Sequence, residues 1–251
     1  MSSKVFIVTG ASRGLGLGIA RILLQASHKV LLVARTEGDT KALKTQYTSS
    51  VDFLPADLSD FKTAPKVVES AVKTFGRIDG IIINHGVLQP LTRIFESDVE
   101  EWRRAYDINV FSAVALLKEA IPELRKTSGR VIFVSSGAAV SAMTAWGAYG
   151  TSKAALTHLC AHLAVEEPSI TSVAISPGKV DTEMQRAIRE EGKQGMAPAV
   201  HDSFVKEYET GRLLHPDEPG TVIAKLAVGA TSDLSGKHYR WNSPDMAAYQ
   251  K

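Results

Sequence analysis

The sequence predicts an α/β fold, a doubly wound parallel sheet with helices on both faces, because apolar strand-like runs alternate with helical runs along the chain. The first run, VFIV, is apolar at every position, which is typical of a central strand buried on both faces. No internal repeat or linker interrupts the 251 residues, so we expect a single domain, 1–251. The expected strands are 5–8, 30–34, 51–54, 78–84, 130–135, 172–176 and 237–241.

The first strand is followed by a glycine-rich turn that reads T-G-x-x-x-G-x-G from Thr9 to Gly16. Apolar residues at helical spacing follow it, so the glycines lie where a strand turns into a helix. Such a turn lets the backbone approach a ligand and offers helix N–H groups to an anion. The spacing matches neither G-x-G-x-x-G nor the P-loop. The turn therefore predicts a phosphate site, with an ordinary βα turn as the alternative.

Charge and cysteine content limit the partners and the compartment. Lys plus Arg is 29 and Asp plus Glu is 27, which gives no electrostatic reason to expect nucleic acid or a membrane surface. One cysteine, Cys160, forms no internal disulfide, and no leader or long apolar span is evident. We expect a cytoplasmic protein whose partners are a small molecule and further copies of itself.

Residues that follow the strands are candidates for the site, because ligands bind outside the carboxyl ends of an open α/β sheet. Each expected strand end delivers a polar or glycine residue. The segment 181–219 is polar and broken by glycine and proline, so we expect it to cover the site with helices. The residues at the strand ends are 34–35, Asp57, 84–86, 135–136 and 177–178.

Tyr149 and Lys153 are one helical turn apart and therefore share a helix face. A cation beside a phenol favours phenolate, so the pair predicts a Tyr149 pKa below its usual value of about 10 and a tyrosine able to exchange protons. Taken alone, such a pair is more often an incidental neighbour pair on a solvated helix surface.

Five motifs in fixed order resemble the short-chain dehydrogenase/reductase family. They are the glycine turn, N-x-G at 84–86, a serine thirteen residues before a tyrosine, Y-x-x-x-K, and P-G-x-V-x-T at 177–182. The resemblance extends from Lys4 to the end of the chain and implies a Rossmann-type fold. It implies Tyr149 as the acid/base, Lys153 as its partner, Ser136 as the holder of the substrate oxygen, and Asn109 as the fourth catalytic residue in a water-linked proton relay.

The resemblance also implies a nicotinamide dinucleotide cofactor. His85 departs from it, because the family most often has alanine there. The implied cofactor contacts are Gly10, Ser12, Arg13, Leu15, Gly16, Arg35, Asp57, Leu58, Asn84, Gly86, Tyr149, Lys153, Pro177, Gly178, Val180 and Thr182.

The end of the second strand predicts NADP(H) over NAD(H). An NAD enzyme needs an acidic residue there for the ribose 2′-OH, and Ala34 occupies the place. Arg35 follows, and Arg13 in the glycine turn is expected beside it, so two guanidinium groups converge on a 2′-phosphate. The alternatives are that both arginines are solvated, or that Glu37 or Asp39 reaches the ribose.

Several stretches, among them NHGVLQPL and GKHYRWNSPDMAAY, resemble the sepiapterin reductase and fungal benzil reductase branch of the family. This implies reduction of a small carbonyl or vicinal dicarbonyl to an alcohol. The alternatives are a 3-oxoacyl-type reductase, another short-chain alcohol dehydrogenase, and a non-catalytic NADP-binding regulator. The apolar walls expected for the substrate are Leu88, Met143, Trp146 and Met184.

Other chemistries fit the residues less well. Val134 takes the first glycine position of G-x-S-x-G, which argues against Ser136 as a hydrolase nucleophile. His158 and His162 have a zinc-compatible spacing but lack a ligand cluster, so we expect no metal site. Cys160 is expected to be an inert helix thiol.

One long helix, 98–124, is expected to bury an apolar stripe in the core. The family resemblance adds that this helix and the Tyr149 helix often pair with their symmetry mates, which implies a homodimer or homotetramer. The stripe is Val99, Trp102, Tyr106, Val110, Val114 and Leu117.

Overall fold

Seven parallel strands form one sheet in the computed structural model, which describes residues 3–250. Their order across the sheet is β3-β2-β1-β4-β5-β6-β7. The direction of winding reverses between β1 and β4, and this switch point lies beside the glycine-rich turn. The strands are β1 (Val5–Thr9), β2 (Lys29–Ala34), β3 (Val51–Pro55), β4 (Gly80–Ile83), β5 (Arg130–Val134), β6 (Thr171–Ser176) and β7 (Lys237–Arg240).

Helices cover both faces of the sheet. Residues Asp107–Phe111, between two of them, form a turn of π-helix. The helices are α1 (Gly14–Gln25), α2 (Thr40–Gln46), α3 (Ala64–Phe75), α4 (Val99–Tyr106), α5 (Ser112–Thr127), α6 (Gly147–Glu166), α7 (Glu183–Glu191), α8 (Pro198–Glu209), α9 (Asp217–Gly229) and α10 (Ala247–Gln250).

The alternation of strands and helices is therefore confirmed, and each expected strand lies within one or two residues of an observed one. Successive residues of β1 face opposite cores: Phe6 and Val8 pack in one with α1 and α9, and Ile7 packs in the other with α3, α5 and α6. Both faces of β1 are dry, which explains why the strand is apolar without alternation.

The expected helix 98–124 is wrong in two respects. It is divided into α4, the π turn and α5, and part of its apolar stripe is outside the core. Val99 is 77% exposed and Val114 is 44% exposed, whereas Val110 and Leu117 are buried. The π turn inserts an extra residue and rotates the helix face, so a stripe drawn with one constant period does not stay on the buried side.

The segment 181–219 contains α7, α8 and the start of α9, as its expected helical character requires. Within residues 3–250, no helix combines the length and the apolar character needed to span a bilayer.

Candidate active site

A cleft of about 1010 Å³ opens at the carboxyl ends of the strands. It runs from the loop after β3, past the switch point between β1 and β4, to α7 and α8. All sixteen residues expected to contact a cofactor line it, from Gly10 to Thr182. Ser136 lines it as well.

The glycine turn at the floor of the cleft is packed too closely for larger residues. A Cβ on Gly16 would lie 2.3 Å from the Gly10 carbonyl oxygen. The Asn84 side-chain amide donates to the carbonyls of Thr9 (3.0 Å) and Gly10 (3.2 Å), which fixes this turn to the loop after β4. The N-terminus of α1 therefore faces the cleft from a rigid support, as an anion site requires.

Lys153 is buried beside the Tyr149 ring. Its Nζ donates a 2.8 Å hydrogen bond to the Val134 carbonyl oxygen, and burial lowers the pKa of Lys153 to about 8. Burial also raises the pKa of Tyr149, against a smaller opposing effect of the Ser136 hydroxyl. The expected lowering of the Tyr149 pKa is thus wrong for this chain by itself, because desolvation of the phenolate outweighs the nearby ammonium.

Ser136 lies beside Tyr149 in the cleft, close enough for its hydroxyl to act on the pKa of the phenol. Its Oγ accepts a 3.1 Å hydrogen bond from the Ala138 amide, which leaves its own hydroxyl proton available for a further acceptor.

Asn109 lies behind the cleft lining, in the π turn. Its side chain accepts from the Val87 amide (2.8 Å) and donates to the Val87 carbonyl (2.9 Å) and to Ser152 Oγ (3.0 Å). Gly86 lies between Asn109 and Lys153, since a Cβ there would be 3.1 Å from Asn109 Oδ1 and 3.5 Å from Lys153 Nζ. Asn109 therefore braces the loop that passes Lys153.

Arg13 and Arg35 are exposed at the rim of the cleft, and within residues 3–250 neither forms an ion pair. Their two loops are in contact, because the Asp39 amide donates to the Ser12 carbonyl at 3.1 Å. Glu37 is directed to lysines, with 3.4 Å to Lys44 Nζ. Of the two carboxylates in the loop after β2, Glu37 therefore has basic partners, whereas Asp39 forms no ion pair within residues 3–250.

The structure places three of the four expected apolar wall residues on the cleft. Met143, Trp146 and Met184 line the cleft, but Leu88 does not. Leu88 is 1% exposed in the cluster behind Trp146 and Tyr149, because the chain turns inward there.

The apolar lining residues that the sequence did not reveal include Ile188, Phe204, Leu214 and Trp241. Phe204 packs on Trp146 with 5.5 Å between ring centroids, and Trp146 packs edge-on against Tyr149 at 5.6 Å. A signal for Phe204 was present, since Phe204 and Tyr208 are the two Phe, Tyr or Trp residues of the covering segment 181–219.

Other candidate groups lie away from the cleft. His158 and His162 are exposed and pack edge-to-face with 4.8 Å between ring centroids, and residues 3–250 contain no group of three ligands suited to a metal. Cys160 is buried, and desolvation raises its pKa to about 12, which fits an inert thiol.

Comparison with known proteins gives the class. The family model for short chain dehydrogenases matches residues 4–193. The chain belongs to the short-chain dehydrogenase family, and its relatives place it in the benzil reductase-like branch. It is an oxidoreductase that acts on carbonyl or hydroxyl groups.

Three similar proteins illustrate the relationship. An (S)-benzoin-forming benzil reductase of Saccharomyces cerevisiae is 38% identical over 98% of this chain and 99% of its own. A short-chain dehydrogenase/reductase structure from the same yeast is 40% identical, with a TM-score of 0.96 over 99% and 100% of the two chains. L-Sorbose reductase of Gluconobacter frateurii, solved with NADPH and L-sorbose, is 25% identical, with a TM-score of 0.83 over 96% and 95%.

Proposed function

We propose that this protein is an NADPH-dependent reductase that converts a compact vicinal dicarbonyl into a hydroxyketone. The observation that carries the proposal is the placement of Ser136, Tyr149 and Lys153 on one cleft with aromatic walls. One end of the cleft is polar and arginine-rimmed, and the other carries aromatic and thioether side chains beside the ion-paired Lys179, Glu207 and Arg212, which fits a dinucleotide beside a small substrate.

The residues present fit the cofactor. Close packing at Gly16 and the free N-terminus of α1 suit a pyrophosphate, and the unpaired Arg13 and Arg35 suit a 2′-phosphate. Asp57 is set for the adenine end, where two hydrogen bonds from Ser59 lower its pKa. NADPH supplies a hydride when bound.

Ser136 and Tyr149 handle the charge that reduction places on the carbonyl oxygen. The Ser136 hydroxyl, whose oxygen is already positioned by Ala138, donates a hydrogen bond to that oxygen. Tyr149 donates the proton, and its raised pKa keeps the phenol protonated at neutral pH until the oxygen becomes basic. Lys153 supplies positive charge beside the ring and contacts the nicotinamide ribose, and Asn109 supports the relay that restores the proton.

The end of the cleft with aromatic and thioether side chains favours small diketones, in particular those with aromatic substituents. Trp146 and Phe204 present ring surfaces, and Met143 and Met184 supply flexible thioethers that adapt to substrate shape. The helices of 181–219 then serve as the substrate cover.

We further propose a cytoplasmic homodimer or homotetramer. Phe111 and Val114, 48% and 44% exposed, lie on the outer side of the π turn and α5 and provide apolar area for a second copy. The single buried thiol is consistent with a reducing compartment.

A substrate panel tests the function. The purified protein is mixed with NADPH and, in turn, benzil, butane-2,3-dione, a 3-oxoacyl thioester and L-sorbose, and loss of reduced-cofactor absorbance is followed. We expect the highest kcat/KM with the diketones. A much faster reaction with the thioester would assign the 3-oxoacyl alternative, and binding of NADPH without turnover of any carbonyl would indicate a non-catalytic regulator.

A further inference from the structure

We propose that His85 is a positioning residue, one that fixes the π turn carrying Asn109 and the backbone beside Lys153. The inference deepens the proposed function and rests on it for its kinetic test. Its basis is a chain of short hydrogen bonds that joins β1 to α5 through the His85 ring.

The ring is bonded at both nitrogens. Nδ1 lies 2.7 Å from Thr9 Oγ1 on β1, and Nε2 lies 2.7 Å from Ser112 Oγ on α5. The Ser112 hydroxyl is also 2.5 Å from the Ile108 carbonyl oxygen, inside the π turn. One imidazole thus spans the gap between the centre of the sheet and the turn next to Asn109.

Proton counting limits these bonds to two arrangements. Each hydroxyl has one proton and also a carbonyl acceptor: Ser112 Oγ is 2.5 Å from the Ile108 oxygen, and Thr9 Oγ1 is 3.1 Å from the Ile82 oxygen. Burial and the positive charge of Lys153 lower the pKa of His85 to about 4, so the ring is neutral and donates to only one of the two hydroxyls. Because the Ser112–Ile108 bond is the shorter one, we assign the ring proton to Nε2, which donates to Ser112, while Nδ1 accepts from the Thr9 hydroxyl.

This chain controls groups that act in the reaction. His85 lies in the loop whose next residue, Gly86, approaches both Asn109 Oδ1 and Lys153 Nζ. The loop is bound to the π turn directly by the Val87–Asn109 pair, and through the Ser112 hydroxyl at the start of α5 by the His85–Ser112 bond. Removing the His85–Ser112 bond leaves the turn free to shift, and a displacement of about 1 Å at reacting groups costs up to roughly a hundredfold in rate.

Four variants distinguish the hydrogen bond at His85 Nδ1 from the hydrogen bond at His85 Nε2. His85→Gln places an amide nitrogen as many bonds from Cα as Nε2, so it preserves the link to Ser112. His85→Asn reaches only the Nδ1 position and preserves the link to Thr9. His85→Ala breaks both links, and Ser112→Ala breaks the far end without changing the loop. Ser172→Ala, which removes a buried hydroxyl bonded to the Cys160 carbonyl, is the matched control.

We expect kcat for the diketone to fall roughly tenfold to a hundredfold in His85→Ala, His85→Asn and Ser112→Ala, while His85→Gln stays within about threefold. The Kd for NADPH should change less than about threefold in all, because the phosphate-binding residues are untouched. Ser172→Ala should lower Tm without lowering kcat. Retention of kcat within about twofold by His85→Ala, or loss by Ser172→Ala equal to that of Ser112→Ala, overturns the proposal.

Two readouts need no turnover. Ring nitrogen shifts in the wild-type protein should show the Nε2–H tautomer of His85 at pH 7, and an Nδ1–H tautomer overturns the assignment. Amide exchange at 107–112 should accelerate in His85→Ala and not in His85→Gln. If the wild-type protein reduces no dicarbonyl, the proposed function fails while these two measurements still decide the role of His85.

Discussion

Lys153 Nζ lies 5.8 Å from the centroid of the Tyr149 ring and is bound to strand β5 through the Val134 carbonyl. The ammonium is thus fixed beside the phenol, in a place where burial lowers the pKa of Lys153 and raises that of Tyr149. Burial acts on both groups in the direction of the uncharged form. Tyr149 is consequently a protonated phenol at neutral pH, which is the form that reduction of a carbonyl consumes.

Tyr149→Phe should abolish carbonyl reduction and leave the fold and NADPH binding intact. The change removes the proton donor and little volume, so kcat should fall more than about 100-fold. Steady-state kinetics measure kcat, and titration with NADPH measures cofactor binding. Tyr106→Phe on α4 is the control, because it also removes a tyrosine hydroxyl but lies outside the cleft. Retained turnover within about tenfold, or roughly 1.4 kcal/mol of barrier, would contradict the assignment of Tyr149.

The positions of the strands and the cleft residues that directly follow them were predictable from sequence, because both follow from local pattern. A buried parallel strand must be apolar, and the residues after Ile83 and Val134 must then lie at the carboxyl edge of the sheet. The P-G turn after β6 follows by the same rule.

Three features depend on contacts between distant segments and were not predictable. The raised pKa of Tyr149 depends on burial under Trp146 and, through it, Phe204 from α8. The division of 98–124 into two helices depends on the π turn, and the burial of Leu88 depends on the cluster in which it packs. No periodicity of one segment carries that information.

The acid stability of the protein should depend on His85. The pKa of His85 is lowered from 6.5 to about 4 in the folded state, so between these values the unfolded chain binds more protons and stability falls as pH falls. The loss of folding stability caused by His85 is absent above pH 6.5 and reaches at most about 3 kcal/mol below pH 4. The main charged neighbour of the ring is Lys153.

Denaturant unfolding of wild type and His85→Gln at pH 7 and pH 4.5 measures this dependence. The wild-type protein should lose more stability between the two pH values than the variant, which has no titratable group at position 85. Parallel losses in the two proteins would show that the imidazole is not held neutral.

Phe204→Leu should weaken binding of aromatic diketones while sparing small ones. The change keeps most of the volume but removes the ring pair with Trp146, and aromatic pairs contribute about 0.5–1.5 kcal/mol. KM for benzil should therefore rise roughly threefold to tenfold, with kcat for butane-2,3-dione within about twofold. Tyr208→Leu, on the same helix but 53% exposed, is the control and should change neither value. An equal rise in KM for both diketones would argue against Phe204 as a substrate wall.

Arg35→Glu should reverse the cofactor preference. Arg35 and Arg13 stand at the rim without ion-pair partners in residues 3–250, and Glu37 is turned toward Lys44. A 2′-phosphate bound there gains charge-assisted hydrogen bonds of about 1.5–3 kcal/mol each, so KM for NADPH should rise more than about tenfold in the variant. KM for NADH should be unchanged or lower, because a carboxylate accepts from the ribose 2′-OH. Lys73→Glu, exposed in the last turn of α3 and without an ion pair within residues 3–250, makes the same change of charge and should affect neither cofactor. An equal loss with both cofactors, or a wild-type preference for NADH, would show that the two arginines do not recognise the phosphate.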